Sequence, residues 1–128
     1  MTYTALAGLM PITHIIEALD DNGDGEADVT AWEQVYAAAS ERVSDAFGGV
    51  VPDDYSDSTG YAHKIFCAEI LFARRGYSGE KNPYTNRAED QERRLRKLAS
   101  GAEHAAGAAE GSYIGDAAKI NTAKGLII

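Results

Sequence analysis

Apolar residues recur at offsets of three, four and seven in successive stretches of the chain, and nowhere in the first hundred positions do they alternate as a strand requires. Residues 5–10 form a short helical stretch with Leu6 and Leu9 on one side. Pro11 then suits the first turn of a second helix, where its missing N–H costs nothing, and Ile12, Ile15, Ile16 and Leu19 follow at helical spacing. The segment DDNGDGEAD beyond Leu19 is too polar and too rich in glycine to be anything except a turn. Asp28 or Thr30 caps the next helix, expected over residues 29–47, whose stripe is Val29, Trp32, Val35, Tyr36, Ala39, Val43 and Phe47. Gly48 and Gly49 stop it.

The loop VVPDDYSDSTG leads to a third long helix, expected over residues 61–75. Ala62, Ile65, Phe66, Ile70 and Ala73 give it one apolar face, and Ala68, Leu71 and Phe72 widen that face, so this helix belongs at the centre. After the polar connection GYSGEKNPYTN, Thr85 or Asn86 caps a fourth helix over RAEDQERRLRKLAS. Its early acids Glu89 and Asp90 and late bases Arg96 and Lys97 complement the macrodipole, and Gly101 ends or interrupts it. Only Ala88, Leu95, Leu98 and Ala99 are apolar there, which places it at the rim with a charged face outward.

From Gly101 the composition shifts to eight Ala and five Gly in 28 residues, yet the chain ends in Leu126, Ile127 and Ile128 after Tyr113, Ile114 and Ile120. Two readings stay open for this tail: it docks on a partner chain as an added strand, or it folds back on its own bundle. The expected fold class is therefore all-α, a small bundle of about four helices with a mostly non-helical C-terminal arm. Residues 1–105 make up the helical domain and 106–128 the arm.

Charge gives the pattern a direction. The chain has 128 residues, 12 Lys and Arg against 20 Asp and Glu, and a formal charge of −8. Residues 1–60 hold twelve acids and Arg42 as their only base, a net of −11, whereas residues 61–128 hold eight acids and eleven bases, a net of +3. Both halves can be solvated faces of a monomer, or the acidic half of one copy can face the basic half of the next, with Arg93, Arg94, Arg96 and Lys97 as inter-subunit charges. The acidic balance argues against a grip on nucleic acid. No basic flank precedes the apolar residues at the N-terminus, and Pro11, His14 and Glu17 interrupt them, so neither a secretion signal nor a membrane span is expected. A single cysteine, Cys67, excludes an intramolecular disulfide and any multi-thiolate metal site.

Candidate chemistry is sparse. Asp20, Asn22, Asp24 and Gly25 match the opening of an EF-hand calcium loop, and Asp28 stands at its ninth position. The twelfth position, which should be a bidentate Glu, is Ala31, so the choice is between weak calcium binding and an acidic turn that caps the next helix. His14, His63 and His104 lie far apart with no second ligand at metal spacing, and Cys67 in IFCAEI reads as a buried small hydrophobe rather than a thiolate. Arg74 and Arg75 either favour a helix C-terminus or bind a partner's phosphate or carboxylate. No catalytic residue, metal ligand set or cofactor site is expected.

In succession, the short N-terminal helices, the turn LDDNGDGEAD, the helix AWEQVYAAASERVSDAF, the central HKIFCAEILFARRG and the closing RRLRKLASG resemble the small head-tail connector, or adaptor, proteins of Mu-like tailed bacteriophages. The resemblance covers roughly residues 3–101 and lies in the order of the motifs, each weak alone. It implies a non-enzymatic virion protein, assembled in the host cytoplasm as a ring of twelve copies beneath the portal protein. A tail-completion protein or tail then attaches, and DNA meets the ring only in passage through its channel. By analogy with connector extensions, Tyr113, Ile114, Ile120, Leu126, Ile127 and Ile128 are the expected portal contact. The alternative is a small calcium-responsive regulatory module built on Asp20, Asn22, Asp24 and Asp28, and a third is a phage or bacterial protein that binds one host partner through its tail.

Overall fold

The computed structural model describes residues 1–52 and 55–110. A 3-10 turn, Tyr3–Leu6, precedes α1 (Ile12–Leu19), α2 (Val29–Phe47), α3 (Ser56–Arg74) and α4 (Thr85–Glu110), with a second 3-10 turn at Gly79–Lys81 before the last helix. No strand occurs among the described residues, and the all-α expectation holds. Residues Met1–Lys97 form one compact unit and Leu98–Ile128 a second.

Within the first unit α3 is the axis. Ile65, Phe66, Cys67 and Ala68 are four consecutive residues with no exposed surface, so the helix is covered around most of its circumference. The cover comes from α2 on one side and α1 on another. Ala31, Val35, Ala39, Val43, Ala46 and Phe47 form the inner face of α2, and small side chains along it let the two long helices approach closely. Leu6, Met10, Ile15 and Leu19 close the end formed by the N-terminal segments. From α4 and the turn before it, Tyr84, Ala88 and Leu95 reach the core, which agrees with a helix at the rim.

Both ends of α2 and the end of α1 fall where the pattern puts them. Gly48 closes α2 in the left-handed conformation, φ 88°, and its N–H returns to the carbonyls of the last turn. Four expectations need correction. Val29, assigned to the apolar stripe, is 71% exposed: it shares the arc of Phe47 five turns on, but as the first residue of α2 it stands at the helix end. On α3, Ala73 is exposed and Ile70 only half-buried, so the central face narrows toward its C-terminus. That helix also starts at Ser56 and not at residue 61, since an acid in the first turn, Asp57, suits a helix N-terminus as well as a loop. Finally, α4 runs through Gly101 and Gly107 to Glu110. Each glycine costs about 1 kcal/mol against alanine, and the five alanines among residues 102–109 offset it.

Asn82, buried to 5% exposure, organises the turn into α4. Its Nδ2 donates to the carbonyls of Glu69 at 2.9 Å and Tyr77 at 3.3 Å, and its Oδ1 accepts the Tyr84 N–H at 2.9 Å. The Tyr84 hydroxyl in turn donates to the Leu9 carbonyl, tying this turn to the N-terminal segment. Asn82→Ala should cost about 1–3 kcal/mol in urea denaturation, because it strands buried backbone partners, whereas Gln34→Ala on the exposed face of α2 should stay within about 0.5 kcal/mol.

Candidate functional site

The turn after α1 uses its carboxylates on its own backbone. Asp20 Oδ1 accepts the N–H groups of Gly23 at 2.8 Å and Asp24 at 3.1 Å, and its Oδ2 accepts that of Gly25 at 2.8 Å. The Gly25 bond, with those of Gly23 and Asp24, holds the Asp20 carboxyl below its ordinary value. Gly23 and Gly25 take φ of 79° and 83°, which a side chain would strain. Asn22 Oδ1 accepts from the Asp24 N–H and Asp24 Oδ1 from the Glu26 N–H. Asp28 occupies the N-cap position of α2, but its carboxylate accepts the Asp21 N–H at 2.7 Å and closes the turn instead. Among the described residues no cluster of three or more His, Cys, Asp or Glu side chains suits a metal ion.

Arg74 and Arg75 find partners inside the unit. Arg74 Nε donates to the Ala18 carbonyl at 2.8 Å in the last turn of α1, and its Nη2 pairs with Asp21. Arg75 Nη2 lies 3.3 Å from Glu17, with its guanidinium 5.4 Å from the Tyr77 ring centre. The pair therefore serves a helix C-terminus, that of α1 as well as its own.

His63 on α3 packs its ring against Tyr36 on α2, centres 4.5 Å apart. Its Nε2 lies 3.3 Å from the Tyr36 carbonyl and 3.2 Å from Ser40 Oγ. A carbonyl only accepts, so Nε2 carries the proton and cannot serve as a base for the Ser40 hydroxyl. The contact joins two helices and does not make a nucleophile. Burial pushes the Cys67 thiol up to about 12, which leaves no thiolate at neutral pH. A surface cavity of about 330 Å³ opens beside Gly79, Glu80, Asn82, Thr85 and Asn86, but the Asn82 amide there is already engaged by backbone.

Charged side chains sort by helix. Arg42 turns inward from α2: its guanidinium lies 4.5 Å from the Phe66 ring centre and pairs with Glu69 on α3 and, at 3.1 Å, with Glu92 on α4. The bond from Arg42 holds the Glu92 carboxyl below its ordinary value. Sequence reasoning missed both this bridge and Asn82. The bridge had a signal, since the only base among sixty residues falls in register with Ala39, Val43 and Ala46. Of the four expected inter-subunit charges, Arg93, Arg96 and Lys97 are exposed together on α4, and Arg94 is half-buried with its Nε on Gln91 Oε1 at 2.9 Å. Arg93 pairs with Asp90 one turn earlier. Tyr113, Ile114, Ile120, Leu126, Ile127 and Ile128, expected at the portal, lie outside the described residues.

No helix among the described residues is long and apolar enough to cross a membrane. No protein-family model, curated protein or solved structure matches the chain.

Burial of His63 lowers its pKa, against the pull of its bond to the Tyr36 carbonyl; the Met1 amino group adds to the lowering. The folded state then resists a proton that the unfolded chain accepts, so this stabilisation is complete above the ordinary imidazole value and is lost as pH falls through the lowered one. Melting temperature should therefore fall between about pH 7 and pH 5 in the wild type, and fall less in His63→Gln. Parallel profiles for the two chains would contradict the assignment.

Proposed function

We propose that this protein is a structural head-tail connector of a tailed-phage virion, acting without catalysis as a ring of copies between the portal and the tail or tail-completion protein. The observation that carries this reading is the succession of motifs over residues 3–101, from LDDNGDGEAD to RRLRKLASG, on an all-α unit. Two features support it. The candidate nucleophile is buried and the candidate metal loop bonds to its own backbone, an arrangement that a scaffold allows. The described surface also exposes Glu33, Glu41 and Asp45 on α2 and the run Arg93, Arg96 and Lys97 on α4, which suits copies that meet through unlike faces.

In this role the chain assembles in the host cytoplasm and remains in the virion at the head-tail interface. DNA slides past without being gripped, which an excess of acids favours. The arm, with Tyr113, Ile114, Ile120, Leu126, Ile127 and Ile128, is the part proposed to reach the portal.

Co-sedimentation with portal rings encoded in the same genome tests the proposal, with stoichiometry counted by mass. The expected result is saturation at one chain per portal subunit, loss of binding when the chain is truncated after Gly111, and an unchanged cooperative melt of the truncated bundle. Failure of the full-length chain to bind would overturn the connector role; undiminished binding by the truncated chain would overturn the role of the arm.

A further inference from the structure

Asn22 stands in the exposed turn between α1 and α2 and is followed by Gly23. In that order a backbone nitrogen can attack the side-chain amide before it with least hindrance, because glycine brings no Cβ beside the attacking atom. The other asparagines among the described residues are poorly placed for this reaction. Asn82 is buried and precedes Pro83, whose nitrogen has no proton to give up. Asn86 precedes Arg87 within α4, where a side chain crowds the nitrogen and the helix fixes the backbone.

The folded turn restrains both reacting groups. Asp20 Oδ1 accepts the Gly23 N–H at 2.8 Å, so the nitrogen that would attack keeps its proton against a carboxylate. An amide nitrogen attacks only after losing that proton, and the negative charge then left on it would face the charge of Asp20. The bond from Gly25, with those from Gly23 and Asp24, holds the Asp20 carboxyl below its ordinary value and makes it a poor base for taking the proton away. Asn22 Oδ1 accepts the Asp24 N–H at 3.1 Å, which pins the side-chain amide in place.

We infer that Asn22 is a deamidation site, held closed in the folded turn by the hydrogen bond from the Gly23 N–H to the Asp20 carboxylate. When the turn opens, hydroxide takes the proton from Gly23 N, which bonds to Asn22 Cγ. The bond from Cγ to Nδ2 breaks, and Nδ2 takes a proton from water and leaves as ammonia, which returns the hydroxide. Water then opens the cyclic imide at either carbonyl and leaves aspartate or isoaspartate at position 22. The isoaspartyl product carries the main chain through Cγ, one carbon longer, so the Asp20 carboxylate no longer spans the N–H groups of Gly23, Asp24 and Gly25 in their present geometry. Opening of this turn is thus recorded as an irreversible change in the connection from α1 to α2. This chemistry is independent of the connector role.

Incubation of the full chain at neutral pH, followed by tryptic digestion and tandem mass spectrometry, tests it. Arg42 is the first base, so residues 1–42 form one tryptic peptide, and Asn22 is its only asparagine. Asp20→Ala frees the Gly23 N–H, whereas Asp24→Ala removes a carboxylate from the same turn and leaves that bond in place. Circular dichroism checks that each variant melts cooperatively. Conversion at position 22 should be about tenfold faster in Asp20→Ala than in the wild type, the factor that a hydrogen bond to a charged group withholds, and should stay within about twofold in Asp24→Ala. The wild type unfolded in urea should react as fast as Asp20→Ala. Should Asp20→Ala fail to fold, Asp20→Asn, which removes the charge and keeps an acceptor, takes its place with the same direction of effect. Conversion no faster without the Asp20 carboxylate, equal acceleration in Asp24→Ala, or earlier conversion at Asn82 or Asn86 would overturn the inference.

Discussion

The bundle turns on one guanidinium. Arg42 is the only base in the first sixty residues, and the period of α2 carries it to the edge of the core, where it lies over Phe66 and meets carboxylates from two other helices. A cation so placed is shielded from water on its ring side and satisfied on its polar side, the condition under which a charge can sit near a core. Without it, Glu69 and Glu92 would face each other at the α3–α4 seam with no cation between them. The helix that gains most is α4, which within the first unit contributes only Ala88 and Leu95 to the buried set and so has little apolar surface to fix its rotation.

That rotation decides what the surface looks like. With Glu92 directed at Arg42 and Leu95 inward, Arg93, Arg96 and Lys97 must face solvent. At the opposite end Arg74 and Arg75 absorb Asp21 and Glu17, while Asp20 and Asp28 bond to backbone in the turn between α1 and α2. Internal pairing thus removes charge at that end of the fold and, through Asp90 and Arg93, on α4 as well, and the exposed residues left include Glu33, Glu41 and Asp45 on α2 and Lys97 on α4.

The elements with an unambiguous local signal were legible in the sequence. Leu19 followed by DDNGDG, and Phe47 followed by Gly48, mark helix ends because glycine alone accepts the left-handed turn without strain. The start of α3 was not, since Ser, Asp and Thr favour a loop and a helix N-terminus for the same hydrogen-bonding reason. Nor was the end of α4, where alanine outweighs glycine. Asn82 and Arg42 matter through partners thirteen to fifty residues away, which no local pattern contains. The burial of Cys67 and the internal use of one arginine pair followed from composition and helix ends, whereas the identity of their partners did not.

The most direct test of this view is a double-mutant cycle on Arg42→Met and Glu92→Gln, read by chemical denaturation of the two single variants and the double. If the α2–α4 bridge sets the rotation of α4, the two substitutions should couple by about 1 kcal/mol or more. Additivity within about 0.3 kcal/mol would mean that Ala88 and Leu95 suffice to hold the helix, and would contradict the claim that Arg42 fixes the charged surface of the protein.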